Sequence, residues 1–189
     1  MRFAGLIKQS LIDYPGEVAA VLFTRGCNFA CPFCHNTHLL NGRDRDSDLS
    51  LEKVLAFLGE RKEFLDAVVV SGGEPTRQRQ LVETIQTIKD LGFKVKLDTN
   101  GSNPDMLEEL LDRGLLDYIA MDVKAPLDYR KYLMACGRLT PQDFLHVRNS
   151  CHLLLEINTE PMVEFRTTVV PALHRGQDIV DIAQSLQGA

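Results

Sequence analysis

The sequence predicts an α/β fold in which a mostly parallel sheet curves into part of a barrel, and three observations support this. Short, almost continuously apolar segments, typical of strands buried on both faces, recur along the chain. Segments with helical spacing of apolar residues follow them. Polar residues and glycines stand directly after several apolar segments, at the end where parallel barrels carry their sites. We therefore expect one domain, residues 1–189, built as an open barrel of about five to six β/α units.

The strands are predicted from their length and apolar character. A lead-in segment, residues 1–17, contains the turn signal Tyr14-Pro15-Gly16. The predicted strands then follow in order: Val18–Phe23, Ala67–Val70, Phe93–Leu97, Tyr118–Met121 and Val163–Val170. Right-handed crossovers should join them, so that their carboxyl ends share one edge of the sheet.

The helices between these strands are predicted from caps and apolar stripes. Ser50 and the pairs Asn103-Pro104 and Thr140-Pro141 are typical helix starts. Gly92 and Gly114 can end helices by adopting the left-handed conformation. A last helix is expected over Asp178–Leu186.

Composition argues against two classes of partner. The net charge of −5 disfavours a mainly electrostatic binder of nucleic acid or membranes. No apolar run approaches the roughly 20 residues that span a bilayer. The amino terminus lacks the pattern of a secretory signal, so we expect a cytoplasmic protein with reduced cysteines.

The segment Thr24–Asn36, TRGCNFACPFCHN, holds three closely spaced cysteines, Cys27, Cys31 and Cys34. Three thiolates can ligate three irons of a [4Fe–4S] cluster and leave the fourth iron open for another ligand. Two alternatives remain at this point. The cysteines could bind zinc with His35 or His38 as a further ligand, or they could be reduced thiols in a core.

The C-x3-C-x2-C spacing, with Phe33 before the last cysteine, resembles the signature of the radical S-adenosylmethionine (SAM) enzymes. In that family the amino and carboxylate groups of SAM chelate the open iron. The resemblance therefore implies a [4Fe–4S] cluster and SAM as cofactors. It also places Phe33 and His35 beside the cluster and SAM.

Gly72, Gly73 and Glu74 follow the second predicted strand. The glycines would let backbone approach a ligand closely, although a tight strand-to-helix turn alone would also explain them. In the radical SAM family the matching GGE motif binds the amino group of SAM.

Oxygen donors follow the third and fourth strands at Asp98, Thr99 and Asp122. Capping by Asp98 and an ion pair between Asp122 and Lys124 are the structural alternatives. The motifs DTNG and D-x-K resemble those of glycyl-radical enzyme activases. That resemblance implies a monovalent cation near Asp98, Thr99, the backbone of Ala120 and Asp122. It also implies SAM contacts from Asp98, Asp122 and Lys124.

Three further residues, Asp13, Arg166 and Cys136, lie outside these motifs and are considered for binding roles. Asp13, in IDYPG, resembles the activases' partner-contacting turn, although Tyr14 replaces a glycine there. Arg166 could bind the SAM carboxylate or ribose, or pair with an acid such as Glu164. Cys136 is expected to lie apart from the cysteine loop.

The motifs SLIDYPG, SGGEPT, MDVKAP and EFRTTVVP together resemble the activating proteins of anaerobic ribonucleoside-triphosphate reductase, a group similar to the formate-C-acetyltransferase activating enzymes. The resemblance implies reductive cleavage of SAM to a 5′-deoxyadenosyl radical, which forms a glycyl radical on a partner enzyme. A flavodoxin- or ferredoxin-type donor would supply the electron. Such activases have a sixth strand and a tail, and we expect that last strand to be missing here.

Two other functions stay open on the sequence alone. One is a radical SAM enzyme acting on a small molecule, similar to 7-carboxy-7-deazaguanine synthase. The other is a non-enzymatic zinc-binding interaction module.

Overall fold

The computed structural model describes residues 1–43 and 45–187, and within them six strands form the main sheet. The eight strands of the described ranges are β1 (Arg2–Phe3), β2 (Gly5–Ser10), β3 (Ala19–Thr24), β4 (Leu49–Ser50), β5 (Ala67–Gly72), β6 (Lys94–Thr99), β7 (Tyr118–Asp122) and β8 (Met162–Arg166). The main sheet has the order β2-β3-β5-β6-β7-β8, with β2 antiparallel to β3 and the other pairs parallel. Strands β1 and β4 form a separate antiparallel pair. This arrangement is consistent with part of a radical SAM barrel, as predicted.

Six α-helices connect or follow the strands in the described ranges. They are α1 (Leu51–Glu60), α2 (Leu81–Asp90), α3 (Pro104–Asp112), α4 (Tyr129–Cys136), α5 (Pro141–Leu155) and α6 (Gly176–Ser185). The predicted caps are present: Ser50 accepts from the Lys53 N–H, and Thr140 forms a capping box with Asp143. The helices cover one face of the sheet, where their apolar stripes pack on strand residues such as Leu22, Val70, Leu97 and Ile119.

The opposite face, called the inner face below, carries a second and smaller apolar cluster. Val21, Val69 and Ala120 belong to it, and Tyr14 packs edge-on against Tyr118 with ring centroids 5.5 Å apart. The turn that contains Tyr14 therefore folds under the sheet. Across the described ranges, no helix combines the length and apolar character needed to cross a bilayer.

One strand was predicted too long, and one helix was missed. The fifth predicted strand, Val163–Val170, ends at Arg166, because its pairing partner β7 ends at Asp122 opposite it. Beyond that point Thr167 donates to the Val123 carbonyl and the Val170 N–H donates to His174. Helix α4 was not predicted, although Asp128 caps its start and a left-handed Gly137 ends it.

Candidate functional site

The cysteine loop leaves β3 and folds over the carboxyl ends of the parallel strands. There it borders a cavity with about 200 Å³ of space accessible to water. Its lining includes Cys27, Cys31, Cys34, Phe33, His35, Gly72, Gly73, Glu74, Asp98, Thr99, Asp122, Lys124 and Arg166. Most of the predicted site residues therefore meet at one place, as the shared polarity of the parallel strands requires.

The glycines of the second turn hold the cysteine loop in place. Gly72 has φ +120°, and a Cβ there would lie 2.3 Å from the Thr24 nitrogen. A Cβ on Gly73 would lie 2.2 Å from the Gly26 carbonyl oxygen. The Gly73 and Glu74 N–H groups donate to the Thr24 and Gly26 carbonyls at 3.0 and 2.8 Å. Both glycines are therefore needed because the turn after β5 lies directly against the backbone of the cysteine loop. This supports the alternative that a tight turn explains them.

Glu74 is almost fully buried, and its carboxylate accepts four hydrogen bonds. One oxygen accepts from the Thr76 N–H, the Thr76 hydroxyl at 2.6 Å and the Thr99 hydroxyl at 2.7 Å, and the other accepts from the Asn100 N–H at 2.7 Å. Burial raises the pKa of Glu74, and these donors oppose that rise because they favour the charged form. In this arrangement Glu74 joins the turn after β5 to the end of β6.

Two carboxylates and two cations alternate beside the cavity. Arg166 lies between Asp98 and Asp122, with N···O distances of 3.3 and 3.1 Å, and Lys124 lies 2.9 Å from Asp122. Burial opposes the charge of Lys124, yet Asp122 raises the pKa of the ammonium. The predicted ion pair Asp122–Lys124 is confirmed.

The other structural alternative for these acids, helix capping by Asp98, is wrong. Asn103 caps α3, and Asp98 pairs with Arg166 and with Lys96, whose ammonium is 2.9 Å away. Ala120, predicted to offer its backbone to a cation, is buried in β7 between Asp98 and Glu164 of the neighbouring strands. The cation itself stays a prediction.

The three cysteines of the loop all border the cavity. In the described part of the chain, no three His, Cys, Asp or Glu side chains converge closely enough to hold one metal ion. A zinc ion needs such convergence, whereas a cubane cluster takes each sulfur on a different iron. Burial raises the pKa of the Cys27 thiol to about 11, so that ligation there has to displace a proton. The described cysteines form no disulfide.

Several residues that sequence reasoning missed support the loop. Asn100 donates to the Cys27 sulfur at 3.8 Å and to the Asn28 side chain at 3.0 Å. The Arg138 guanidinium donates to the Cys27 and Asn28 carbonyls at 2.7 Å each. Asn100 stands in the DTNG motif and was overlooked there, whereas no sequence signal pointed to Arg138.

Cys136 contradicts the prediction that it lies apart from the loop. Its carbonyl accepts from the Ala30 N–H at 2.8 Å, next to Cys31 in the loop. The prediction failed because the unpredicted helix α4 carries Cys136 back to the cysteine loop.

Asp13 is not part of the cavity. The turn that contains it follows β2 and lies at the amino-terminal end of β3, whereas the cysteine loop leaves the other end. The Asp13 carboxylate accepts from the Ser10 hydroxyl, and its carbonyl accepts from Lys96 at 2.7 Å. Lys96 in turn contacts Asp98, which lines the cavity, so Asp13 is linked to the cavity across the inner face of the sheet.

Comparison with known proteins supports the family resemblance. The model of the family described as the radical SAM superfamily matches residues 21–187. The protein named "putative glycyl-radical enzyme activating enzyme MJ1227" of Methanocaldococcus jannaschii is 37% identical over 190 residues, covering 97% of this chain and 75% of that protein. A second protein of that organism, "putative glycyl-radical enzyme activating enzyme MJ1632", is 35% identical over 163 residues, covering 83% of this chain and 60% of its own length.

Two further matches are more distant. A "probable GTP 3′,8-cyclase" of Saccharolobus solfataricus is 35% identical over 114 residues, covering 59% of this chain and 36% of that protein. The solved structure of TYW1 with a lysine-pyruvate adduct superposes with a TM-score of 0.66 at 19% identity, covering 90% of this chain and 61% of that one. The structural likeness shows the fold, while the family model and the first relative show the family. The chain belongs to the radical SAM superfamily.

Proposed function

We propose that this radical SAM enzyme generates a glycyl radical on a partner enzyme, and that the partner is an anaerobic ribonucleoside-triphosphate reductase. The observation that carries the proposal is the meeting of the cysteine loop, the Gly72–Glu74 turn and the paired charges around one cavity. The first listed relatives, both named as glycyl-radical enzyme activating enzymes, support this choice of reaction.

In the proposed site, Cys27, Cys31 and Cys34 ligate a [4Fe–4S] cluster. When bound, the cluster and SAM supply the one-electron cleavage of a sulfonium and the 5′-deoxyadenosyl radical that results. Lys124 and Arg166 offer positive charge suited to the SAM carboxylate.

The acidic residues take the complementary roles. Asp98 and Asp122 offer oxygens to the amino group or the ribose hydroxyls of SAM. Glu74 holds the turn through its present hydrogen bonds, and its Oε2 accepts from one described donor, the Asn100 N–H, which leaves that oxygen a lone pair for the predicted contact with the SAM amino group. The proposed reaction requires no side-chain acid or base.

The exposed edges of the main sheet favour a polypeptide substrate over a small molecule. The sheet does not close, and its edge strands in the described part of the chain are β2 and β8. Large apolar side chains are exposed at these edges and next to them. They are Ile7, Leu11, Ile12, Met162 and Val169. Because Ile7 pairs with Val21 and Met162 with Tyr118, both residues lie on the inner face. A polypeptide segment entering between the edges would cover this surface.

The remaining assignments belong to the same proposal. Residues 1–189 act as one domain, since the helices of the described residues cover one face of a common sheet. Asp13 and its neighbours contact the partner. A flavodoxin- or ferredoxin-type protein delivers the electron, and the enzyme works in the cytoplasm, where thiols stay reduced.

The test is anaerobic reconstitution with iron and sulfide, followed by reduction and addition of SAM and the anaerobic reductase. We expect 5′-deoxyadenosine, methionine and an electron paramagnetic resonance doublet of a glycyl radical. Cys34→Ala should abolish all three, whereas Cys151→Ala, a change on α5 outside the cavity lining, should keep them.

Two outcomes would refute the proposal. If the protein binds zinc without sulfide, it lacks the cluster that radical SAM activity requires. If SAM cleavage depends on a nucleotide and no glycyl radical forms, the small-molecule alternative replaces the activase.

A further inference from the structure

The segment that follows β8 is bonded to the loop that follows β7, and His174 makes the last of these contacts. The Val123 N–H donates to the Arg166 carbonyl at 2.8 Å, and the Thr167 hydroxyl donates to the Val123 carbonyl at 2.8 Å. One residue further along the loop, the imidazole Nε2 of His174 lies 2.8 Å from the Lys124 carbonyl oxygen. Three contacts therefore join this segment to the loop that carries Lys124.

The two groups that face the His174 ring determine which of its nitrogens carries the hydrogen. The Val170 N–H donates to Nδ1 at 3.0 Å, so Nδ1 is an acceptor and bears no hydrogen. The group facing Nε2 is the carbonyl of Lys124, which can only accept. A neutral ring with its hydrogen on Nε2 satisfies both contacts. Because His174 is buried, with 6% of its surface exposed, both hydrogen bonds are costly to lose.

The N–H of Lys124 is also held by a buried side chain. It donates at 3.2 Å to the hydroxyl of Tyr132, which lies on α4 and has no exposed surface. Lys124 follows the end of β7 at Asp122, where pairing with β8 has stopped. The side chains of Tyr132 and His174 therefore replace the strand partners that would otherwise fix the backbone of Lys124.

The side chain of Lys124 connects this support to the cavity. Lys124 lines the cavity, whereas neither Tyr132 nor His174 belongs to its lining. The Lys124 ammonium lies 2.9 Å from Asp122, at the end of a flexible four-carbon stem. The position that the ammonium can reach depends on where the backbone holds the base of that stem.

We propose that His174 and Tyr132 are positioning residues for Lys124, and that by holding its carbonyl and its N–H they place its ammonium for the SAM carboxylate. This inference rests on the contact between Lys124 and SAM in the proposed function. It gives the segment between β8 and α6 a part in cofactor binding, although His174 itself does not reach the cavity.

The test is the dissociation constant for SAM of the reconstituted, oxidised full chain, measured by calorimetry without reductant so that SAM is not cleaved. His174→Gln can place an amide donor near the position of Nε2 and keep the bond to Lys124. His174→Asn can place an amide oxygen near the position of Nδ1 and keep only the bond to Val170. We expect the asparagine variant to weaken SAM binding by about tenfold, the scale of one lost buried hydrogen bond, and the glutamine variant by less than about threefold.

The hydroxyl of Tyr132 is tested with a matched control on the same helix. Tyr132→Phe removes the acceptor of the Lys124 N–H and should also weaken SAM binding by about tenfold. Tyr129→Phe removes a hydroxyl that lies at the same distance, 3.2 Å, from the Leu139 carbonyl, and it should leave SAM binding unchanged. Urea unfolding of each cluster-free variant measures any accompanying loss of stability.

A double-mutant cycle shows whether the effect passes through Lys124. Lys124→Met removes the ammonium and keeps a side chain of similar length. In that background neither His174→Asn nor Tyr132→Phe should weaken SAM binding further. Losses as large as those in the wild-type background would show that the two residues act by another route, and the inference would be wrong.

The remaining outcomes separate this inference from the function on which it rests. If wild-type protein binds SAM and the asparagine variant binds it as tightly, the inference is wrong and the function stands. Equal losses of affinity in the two His174 variants, in proportion to lost stability, would leave His174 a role in folding alone and also overturn it. If His174→Asn does not fold, unchanged affinity in Tyr132→Phe overturns the inference. If wild-type protein assembles a cluster but binds no SAM, the proposed function fails and the inference fails with it.

Discussion

Gly73→Ala tests whether the second turn sets the position of the cysteine loop. The new Cβ would lie 2.2 Å from the Gly26 oxygen, and ordinary contact begins at 3.4 Å. The oxygen therefore has to retreat by about 1.2 Å, because the dispersion well turns steeply repulsive below contact distance. Gly73 does not have a positive φ, so alanine itself is not strained there.

The cost follows from this displacement. Overpacking of this kind costs about 1–3 kcal/mol. The 2.8 Å hydrogen bond from Glu74 to Gly26 is also disturbed, which adds about 1 kcal/mol. Gly26 directly precedes Cys27, so the ligand sulfur should move by a similar amount. A misplacement of about 1 Å can lower the rate by about 100-fold.

The assays are urea unfolding of the cluster-free protein and, after reconstitution, iron and sulfide content with SAM cleavage. Gly59→Ala is the matched control, because no atom lies within 4 Å of its added Cβ. That change lies in α1 and should be neutral or stabilising by up to about 1 kcal/mol. A Gly73→Ala protein with wild-type stability, full cluster content and unchanged SAM cleavage would refute the reasoning.

Three further predictions concern other supports of the site. The buried Arg25 guanidinium holds the pKa of Asp48 below its ordinary value, so the stability that this carboxylate contributes is complete above about pH 4 and is lost as the pH falls further. Asp48→Asn should therefore flatten the fall in unfolding free energy below about pH 4 in urea titrations, and parallel curves would contradict this. Arg138→Ala should weaken cluster retention against a chelator by about tenfold, whereas Arg130→Ala, on the exposed side of α4, should not; equal losses would show that the carbonyl contacts are unimportant. Ile12→Ser should raise the concentration of partner needed for half-maximal radical formation while partner-independent SAM cleavage is kept, and an unchanged requirement would remove this turn from the interface.

The parallel part of the fold was predictable because its signals are local. Val18–Phe23 and Tyr118–Met121 are short apolar segments, and the structure places β3 and β7 within a residue or so of them. Strand β8 was predicted too long because its end depends on where β7 stops, which is a property of the pair. Helix α4 has an aspartate cap and a glycine stop, but its weakly apolar sequence gave no clear stripe.

The members of the site were predictable, but their contacts were not. The order of motifs along parallel strands brings Cys27, Glu74 and Asp122 to one edge whatever the details of packing. The partner of each side chain is decided by three-dimensional proximity. Arg166 between two aspartates and Cys136 beside the cysteine loop are both of this kind.

The bracing of the cysteine loop has a consequence for how the enzyme matures. Asn28 is held by Asp143, and Cys27 by Arg138, across 115 and 111 positions of sequence. A ribosome that has released only the first hundred residues has therefore exposed all three cysteines without the groups that fix them. We expect iron loading to begin after the segment through Asp143 has emerged and folded. Nascent chains arrested before that point should carry thiols open to oxidation or to the wrong metal.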